Sequence, residues 1–242
     1  MKISFSQFSN KGPRQNNEDS ILTKKITDND YVFAIADGLG GMKEGKTASL
    51  LAINYLEKHA ENIIKDIKVD FYLLKKWINN VNNIIITKQK EDITFCNMAT
   101  TLTVAFIIKE HLYYAHIGDT RITIARNNGI MRLTKDHSER QQLFDKGKIT
   151  RKEFRLYKRK NIINNALGIK ENINIDFNQM LIKKNDVFIL TSDGVHDILF
   201  IRELKNIIDA NNSLSNMITN IETEVKNREP TDNYSCIMFI AE

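Results

Sequence analysis

The chain is short of the residues that staple or kink. Cysteine occurs twice, at Cys96 and Cys236. Two thiols make no disulfide framework, and the reading is a reducing cytoplasm with both thiols buried as small hydrophobes. Neither has a second cysteine at ligand spacing, and no histidine pair stands in for one, so a zinc site is not expected. Proline is limited to Pro13 and Pro230, and no linker or low-complexity tail is found. No apolar run approaches the roughly 18 residues a membrane helix needs. The amino terminus, MKISFSQFSNKGPRQNNED, alternates polar with apolar and lacks a signal-peptide block. The expectation is a cytoplasmic protein with no membrane partner. Excess charge is small: 35 basic against 30 acidic residues, a net of +5. That suits an anionic partner, but no aromatics interleave the basic residues as a stacking platform, so nucleic acid is not expected.

What is present is a core-forming pattern. A length of 242 residues with 42% hydrophobic residues fits one sizeable domain, residues 1–242, with nothing that demands more than a monomer. Alternation predicts a strand over residues 2–8, and YVFAIA at 31–36 a more deeply buried one. Ala48, Leu51, Ala52, Tyr55, Leu56, Ala60, Ile63 and Ile64 predict a helix from Lys46 to about Lys65. Phe71, Leu74, Trp77, Ile78, Val81 and Ile85 predict another from about Asp70. Residues 100–134 are rich in β-branched and aromatic side chains and read as three or four antiparallel strands, with Asn128-Gly129 as a tight hairpin turn. Residues 139–166 read as helical and charged. Strands follow at 174–182 and 187–191, helices at 201–209 and 213–226, and a last strand from Tyr234. Runs of strands with helices segregated between them predict an α+β fold.

Acidic residues recur where these strands begin or end. VFAIADG at 32–38 is echoed by VFILTSDG at 187–194, and YYAHIGD at 113–119 breaks the same way. NED at 17–19 and TDN at 231–233 complete the set. One Asp-Gly is an ordinary turn. Glu18, Asp19, Asp37, Asp119, Asp193 and Asp232 gathered at one sheet edge would repel one another unless cations sit between them. Oxygen-only ligands suit Mg²⁺ or Mn²⁺, and a paired hard-metal centre commonly serves phosphoryl chemistry. Asp37 is placed as the bridge between two ions, with Gly38, Gly40 and Gly41 keeping the rim open. Arg14, four residues before Glu18, is placed as the guanidinium that grips a phosphate.

Eight short motifs in order resemble the metal-dependent Ser/Thr protein phosphatases of the protein phosphatase 2C type. They are RQNNED (14–19), DGLGG (37–41), ATTL (99–102), GDTR (118–121), TKDHS (134–138), NALG (165–168), TSDG (191–194) and TDNYS (231–235). The resemblance implies a central sandwich of two antiparallel sheets with helices outside both, and two Mg²⁺ or Mn²⁺ ions at one end. It implies that Asp37 bridges the ions, that the Gly38 carbonyl binds one, and that Glu18, Asp193 and Asp232 serve the metal site. Asp19 would hold metal-bound waters, and Asp119 would join Asp193 around a weaker third ion found in bacterial members. Arg14 would clamp phosphate, and Asn233 would support the ligands. Members from higher organisms often carry a histidine where this chain has Leu39, proposed there as general acid; leucine donates no proton, so a metal-bound water would have to. His116, His137 and His196 are read as packing, surface or turn residues.

The resemblance also makes residues 140–166 a variable flap beside the active site. KGKITRKEFRLYKRK at 146–160 holds eight Lys or Arg and one Glu, and Arg151, Arg155 and Arg159 recur at helical spacing, positioned to attract an acidic or phosphorylated segment. The expected activity is hydrolysis of phosphoserine and phosphothreonine on targets of a Ser/Thr kinase, by direct attack of a metal-bridging hydroxide. Two alternatives stay open: a catalytically silent relative that binds phosphoproteins or regulates a kinase, and a metal-dependent nuclease or phosphodiesterase.

Overall fold

A computed structural model describes residues 1–40 and 43–242; Gly41, placed above at the rim, lies outside them. Two antiparallel sheets face each other. One runs in the order β1 (Ile3–Asn10), β11 (Tyr234–Ala241), β10 (Val187–Thr191), β7 (Arg121–Arg126), β8 (Gly129–Arg132). The other runs β2 (Asp19–Lys25), β3 (Asp30–Leu39), β5 (Leu102–Ile108), β6 (His111–Ile117), β9 (Asp176–Leu181), with the two-residue β4 (Ala99–Thr100) paired to the end of β3. Helices α1 (Lys43–Val69) and α2 (Leu73–Glu91) cover the second sheet. Helices α5 (Asp193–His196), α6 (Ile201–Asp209) and α7 (Leu214–Asn227) lie on the first. This is the expected α+β sandwich with helices outside.

Three apolar layers explain the strand sequences. In β3, Val32, Ala34 and Ala36 face α1, while Tyr31, Phe33 and Ile35 face the opposite sheet. A strand covered on both sides needs apolar residues at every position, which is why YVFAIA does not alternate. The same holds for β11, where Ile237 and Phe239 point between the sheets and Cys236 and Met238 point toward α7. Phe33, Phe188 and Phe239 stack through the centre, with ring centroids 4.4 and 4.9 Å apart. None of the described helices is long and apolar enough to cross a membrane.

Three local expectations need correction. Residues 139–166 are mostly not helical: only α3 (Glu139–Asp145) and α4 (Arg151–Arg155) form. Gly147, at φ +64°, stops α3, and Thr150 with Glu153 makes the capping box that starts the five-residue α4. Arg159 therefore lies beyond α4 and does not continue a helical row. Cys96 is exposed at the end of a short 3-10 turn, whereas Cys236 is buried as expected and its thiol is pushed up by burial. The β7–β8 hairpin turns on Asn127 and Asn128, both with positive φ, one residue earlier than read; Gly129 already pairs with Arg126 in the ladder.

Candidate metal centre

The carboxylates reach one end of the sandwich through strand register. Asp19 and Asp37 are direct partners across β2 and β3. The backbone of Asp37 is pinned from both sides by the ATTL segment: its N–H donates to Thr101 Oγ1 (2.9 Å), and its carbonyl accepts from the Thr101 N–H (2.9 Å) and Thr100 Oγ1 (2.9 Å). Asp193 opens α5 directly after β10, and Asp119 follows Gly118, which bends at φ +103° against the side chain of Thr101. His137 holds that bend, its N–H donating to the Gly118 carbonyl (2.6 Å). Asp232 precedes β11.

Glu18, Asp37, Asp119, Asp193 and Asp232 line one cavity of about 550 Å³, together with Arg14, Gly38, Leu39, Gly40 and Asn233. Arg14 is the only cationic side chain lining it among the described residues. Its guanidinium pairs with Asp232 at 2.6 Å and also donates to the Thr231 carbonyl at 3.2 Å. Asp19 lies beneath the cavity, 6% exposed. Asn233 ties the amino-terminal loop in place: its side-chain carbonyl accepts the Glu18 N–H (2.8 Å), and its amide donates to the carbonyls of Lys11 (2.7 Å) and Asn16 (2.9 Å).

Of the basic flap candidates, Arg151, Arg155 and Arg159 stand away from this cavity. Arg151 and Arg155 line a second one, and Arg159 pairs with Glu139 at 3.0 Å. From this segment, Asn161 and Ile163 reach the acid cavity instead. Gly38 owes its lack of a side chain to packing more than to an open rim, since a Cβ there would stand 2.3 Å from the backbone of Gly45 in α1. Sequence reading also passed over Ser192 and Ser235. Both hydroxyls donate to Asp19 Oδ2, at 2.7 and 2.6 Å. Their signal was present, because each sits inside a quoted motif, TSDG and TDNYS.

Electrostatically the cluster is incomplete by itself. Burial, then the charge of neighbouring carboxylates, pushes Asp37 and Asp193 well above the usual range. Both open partly onto the cavity. Burial raises Asp119 to about 7, with Asp136 adding to it and Arg121 opposing. Asp19 is raised to about 6 by burial despite its two serine donors. Glu18 is raised by burial, with Arg14 opposing. The second oxygen of Asp19, Oδ1, is buried without any partner. A buried carboxylate oxygen costs free energy until a donor or cation meets it. Among the described residues no three of these side chains already form a cage for an ion; they line the walls of an open cavity. An open, all-oxygen cavity lining with surplus negative charge fits Mg²⁺ or Mn²⁺, which keep several waters, and does not fit zinc.

The comparisons with known proteins decide the family. The protein phosphatase 2C model matches residues 9–229. The chain belongs to the protein phosphatase 2C family. It is thus a phosphatase by class. It is 28% identical over 228 residues to the serine/threonine phosphatase Stp of Listeria welshimeri, covering 93% of this chain and 90% of that one. A crystal structure of a bacterial serine phosphatase superposes with a TM-score of 0.92 at 24% identity, covering 99% of this chain and 98% of the other. The catalytic domain of the serine/threonine protein phosphatase PstP, solved with two manganese ions, gives a TM-score of 0.84 at 22% identity, with 99% of each chain covered.

Proposed function

We propose that this member of the family is a divalent-metal-dependent phosphatase of phosphoserine and phosphothreonine in proteins, the substrates being products of a Ser/Thr kinase. The reading is carried by one observation: five carboxylates from remote segments line one cavity with a single arginine. Named serine/threonine phosphatases among its relatives support the substrate class.

In this reading Glu18, Asp37, Asp193 and Asp232 hold two Mg²⁺ or Mn²⁺ ions, with the Gly38 carbonyl at the same edge. Asp119 and Asp193 stand together where a weaker third ion would sit. When bound, such ions supply a water nucleophile at neutral pH and neutralise charge building on the phosphate oxygens. The residues then act as follows. Arg14 leaves Asp232 and grips two phosphate oxygens, orienting phosphorus for in-line attack. Asp19, held by Ser192 and Ser235, accepts hydrogen bonds from water on the cavity floor. Asn233 keeps Glu18 in register. Leu39 offers no proton, so the departing serine or threonine oxygen takes one from water in the cavity.

The test is phosphate release from a phosphothreonine peptide with Mn²⁺ or Mg²⁺ and with a chelator. The expected result is turnover that needs the cation and falls at least about 100-fold in Asp37→Asn. Turnover of Asp37→Asn within twofold of the native protein would overturn the role given to Asp37.

A further inference from the structure

A second cavity, of about 360 Å³, lies where α3 and α4 meet α5 and α6. Its lining carries six cationic side chains, Arg121, Arg132, Arg140, Arg151, Arg155 and Lys160, against one carboxylate, Asp197. Asp136, just beneath, is already shared by Arg121, Arg132 and Arg140. Asp197 is shared by Arg140 and Lys160, at 3.3 and 2.9 Å. Arg151 and Arg155 have no carboxylate partner among the described residues, and Arg155 only rests over the ring of Phe200, 5.6 Å from its centroid. Positive charge therefore outruns its local partners.

The floor also holds two buried side-chain nitrogens without a hydrogen-bond partner. Arg140 is 6% exposed and stacks on Phe154 at 4.8 Å, yet its Nε–H has no acceptor. His196, also 6% exposed, pairs through Nδ1 with the Thr191 hydroxyl (2.9 Å) and leaves Nε2 without a partner. Buried donors in a native structure call for an acceptor. The surplus of positive charge around it favours an anion as that acceptor. Phe144, Phe154 and Phe200 form apolar walls, which a free inorganic ion would not use but a peptide would. A dianion answers this surplus better than a single carboxylate does.

The site adjoins the acid cavity. Lys160 and Asp197 also line a small cleft that includes Arg14, Asp193 and Asp232. The Lys160–Asp197 ion pair is thus the ridge between the two.

We propose that this cavity is a second phosphate site, which binds a further phosphorylated residue of a peptide whose first phosphoresidue enters the acid cavity. The link to the acid cavity rests on the phosphatase reading; the anion site itself does not. Arg140 presents its Nε–H at the floor, Arg155 and Arg151 close over the phosphate from α4, and the phenylalanines hold the flanking peptide. The substrates so favoured are segments phosphorylated at two nearby positions.

The test separates the two claims by removing the metal. A peptide carrying one non-hydrolysable phosphonate analogue of phosphoserine, flanked by apolar residues, is titrated calorimetrically into the full chain in chelator. Native protein and Arg14→Ala are expected to bind it equally. Arg151→Ala combined with Arg155→Ala is expected to weaken binding roughly tenfold or more, the scale of a lost charge-assisted contact. Arg140→Lys, which keeps the charge but loses the Nε–H, is expected to weaken it as well. The proposal is overturned if the double variant binds within twofold of native, if Arg14→Ala abolishes binding, or if inorganic phosphate or the matching glutamate peptide binds as tightly. Failure of Mn²⁺-dependent phosphate release from a singly phosphorylated peptide would count against the phosphatase reading and leave this titration standing.

Discussion

Arg14 and Asp232 are joined by a 2.6 Å ion pair, so the proposed phosphate clamp and a proposed metal ligand hold each other. Both side chains are well hydrated, 54% and 31% exposed, so the pair is worth no more than about 1 kcal/mol. Removing Arg14 relieves Asp232 of a competing cation. Arg14→Ala is therefore expected to bind Mn²⁺ up to about fivefold more tightly by calorimetry. The same change should lower kcat/KM on a phosphothreonine peptide by about 100-fold or more, because the bidentate grip on phosphate is gone. The two effects have opposite signs. Weaker Mn²⁺ binding in Arg14→Ala would show that the arginine serves the metal site structurally and that the exchange of partners is wrong.

Asp19 tests whether the hydrogen bonds below the cavity matter to the ions above it. Ser192 and Ser235 both donate to its Oδ2 and thereby favour the charged carboxylate. Replacing both serines by alanine removes that support and raises the carboxyl further. The double variant is expected to stay folded, since hydroxyl loss leaves little void, and to bind Mn²⁺ about tenfold more weakly, the lower end for partners of metal ligands. Unchanged Mn²⁺ affinity would remove Asp19 from the metal site and leave it as a buried structural acid.

The ends of the strands were legible because they repeat. An apolar run followed by Asp-Gly occurs at Asp37 and again at Asp193, and neither period nor propensity explains a carboxylate there. The partners of those acids were not legible. Asp19 receives its hydroxyls from residues 173 and 216 positions away, and no local pattern encodes a contact at that distance. The pairing of Arg14 with Asp232 spans 218 positions; each residue was singled out for phosphate or metal, not for the other. Residues 139–166 misled for a different reason. Their helices are held by a capping box and by ties such as those of Tyr157 and Arg159 to Glu139, so charge and helix-forming residues imitated one long helix that the backbone does not build. Gly38 was noticed for the right residue type and the wrong cause, because the crowding comes from Gly45 in the first turn of α1, a turn that lies before the Lys46 start read from the apolar spacing.

Protons and cations compete for the acid cluster, which fixes the sign of a pH effect. Asp19 and Asp119 titrate near 6 and 7 in the folded chain, against about 3.9 when unfolded. A raised folded value means a stabilising contribution that is complete below about pH 4 and is lost as pH rises through 6 to 7. His116, lowered to about 4 by burial, and His196, also lowered by burial, act in the opposite direction: they favour the folded chain at high pH and cost stability as pH falls below about 6.5. Neither ring lines the acid cavity, so their contribution largely cancels in a difference between melts with and without metal. The rise in Tm produced by saturating Mg²⁺ is therefore expected to be small at pH 5 and largest at pH 8, measured by thermal melts at both. An equal rise at both values would mean that the cation does not displace protons from these carboxyls.

Gly38 separates packing from chemistry at the same strand end. A Cβ there would meet the backbone of Gly45 at 2.3 Å, and backbone atoms, unlike a side-chain tip, have no easy way to yield. Forcing α1 away from the end of β3 is an overpacking cost of about 2–3 kcal/mol. For a chain of this size that corresponds to a Tm lower by roughly 4–12 °C. The shift also moves Glu18, because a Cβ on Gly45 would in turn lie only 2.3 Å from Glu18 Oε2 and so marks how closely that carboxylate rests on the helix. Gly38→Ala is thus expected to lower thermal stability without metal and to weaken Mn²⁺ binding as well, whereas Gly147→Ala, with nothing within 4 Å of its Cβ, should cost only the strain of its positive φ, about 1 kcal/mol, and leave Mn²⁺ affinity alone. A Gly38→Ala protein that melts and binds Mn²⁺ like the native chain would show that α1 does not press on the end of β3 as closely as the contact distance requires.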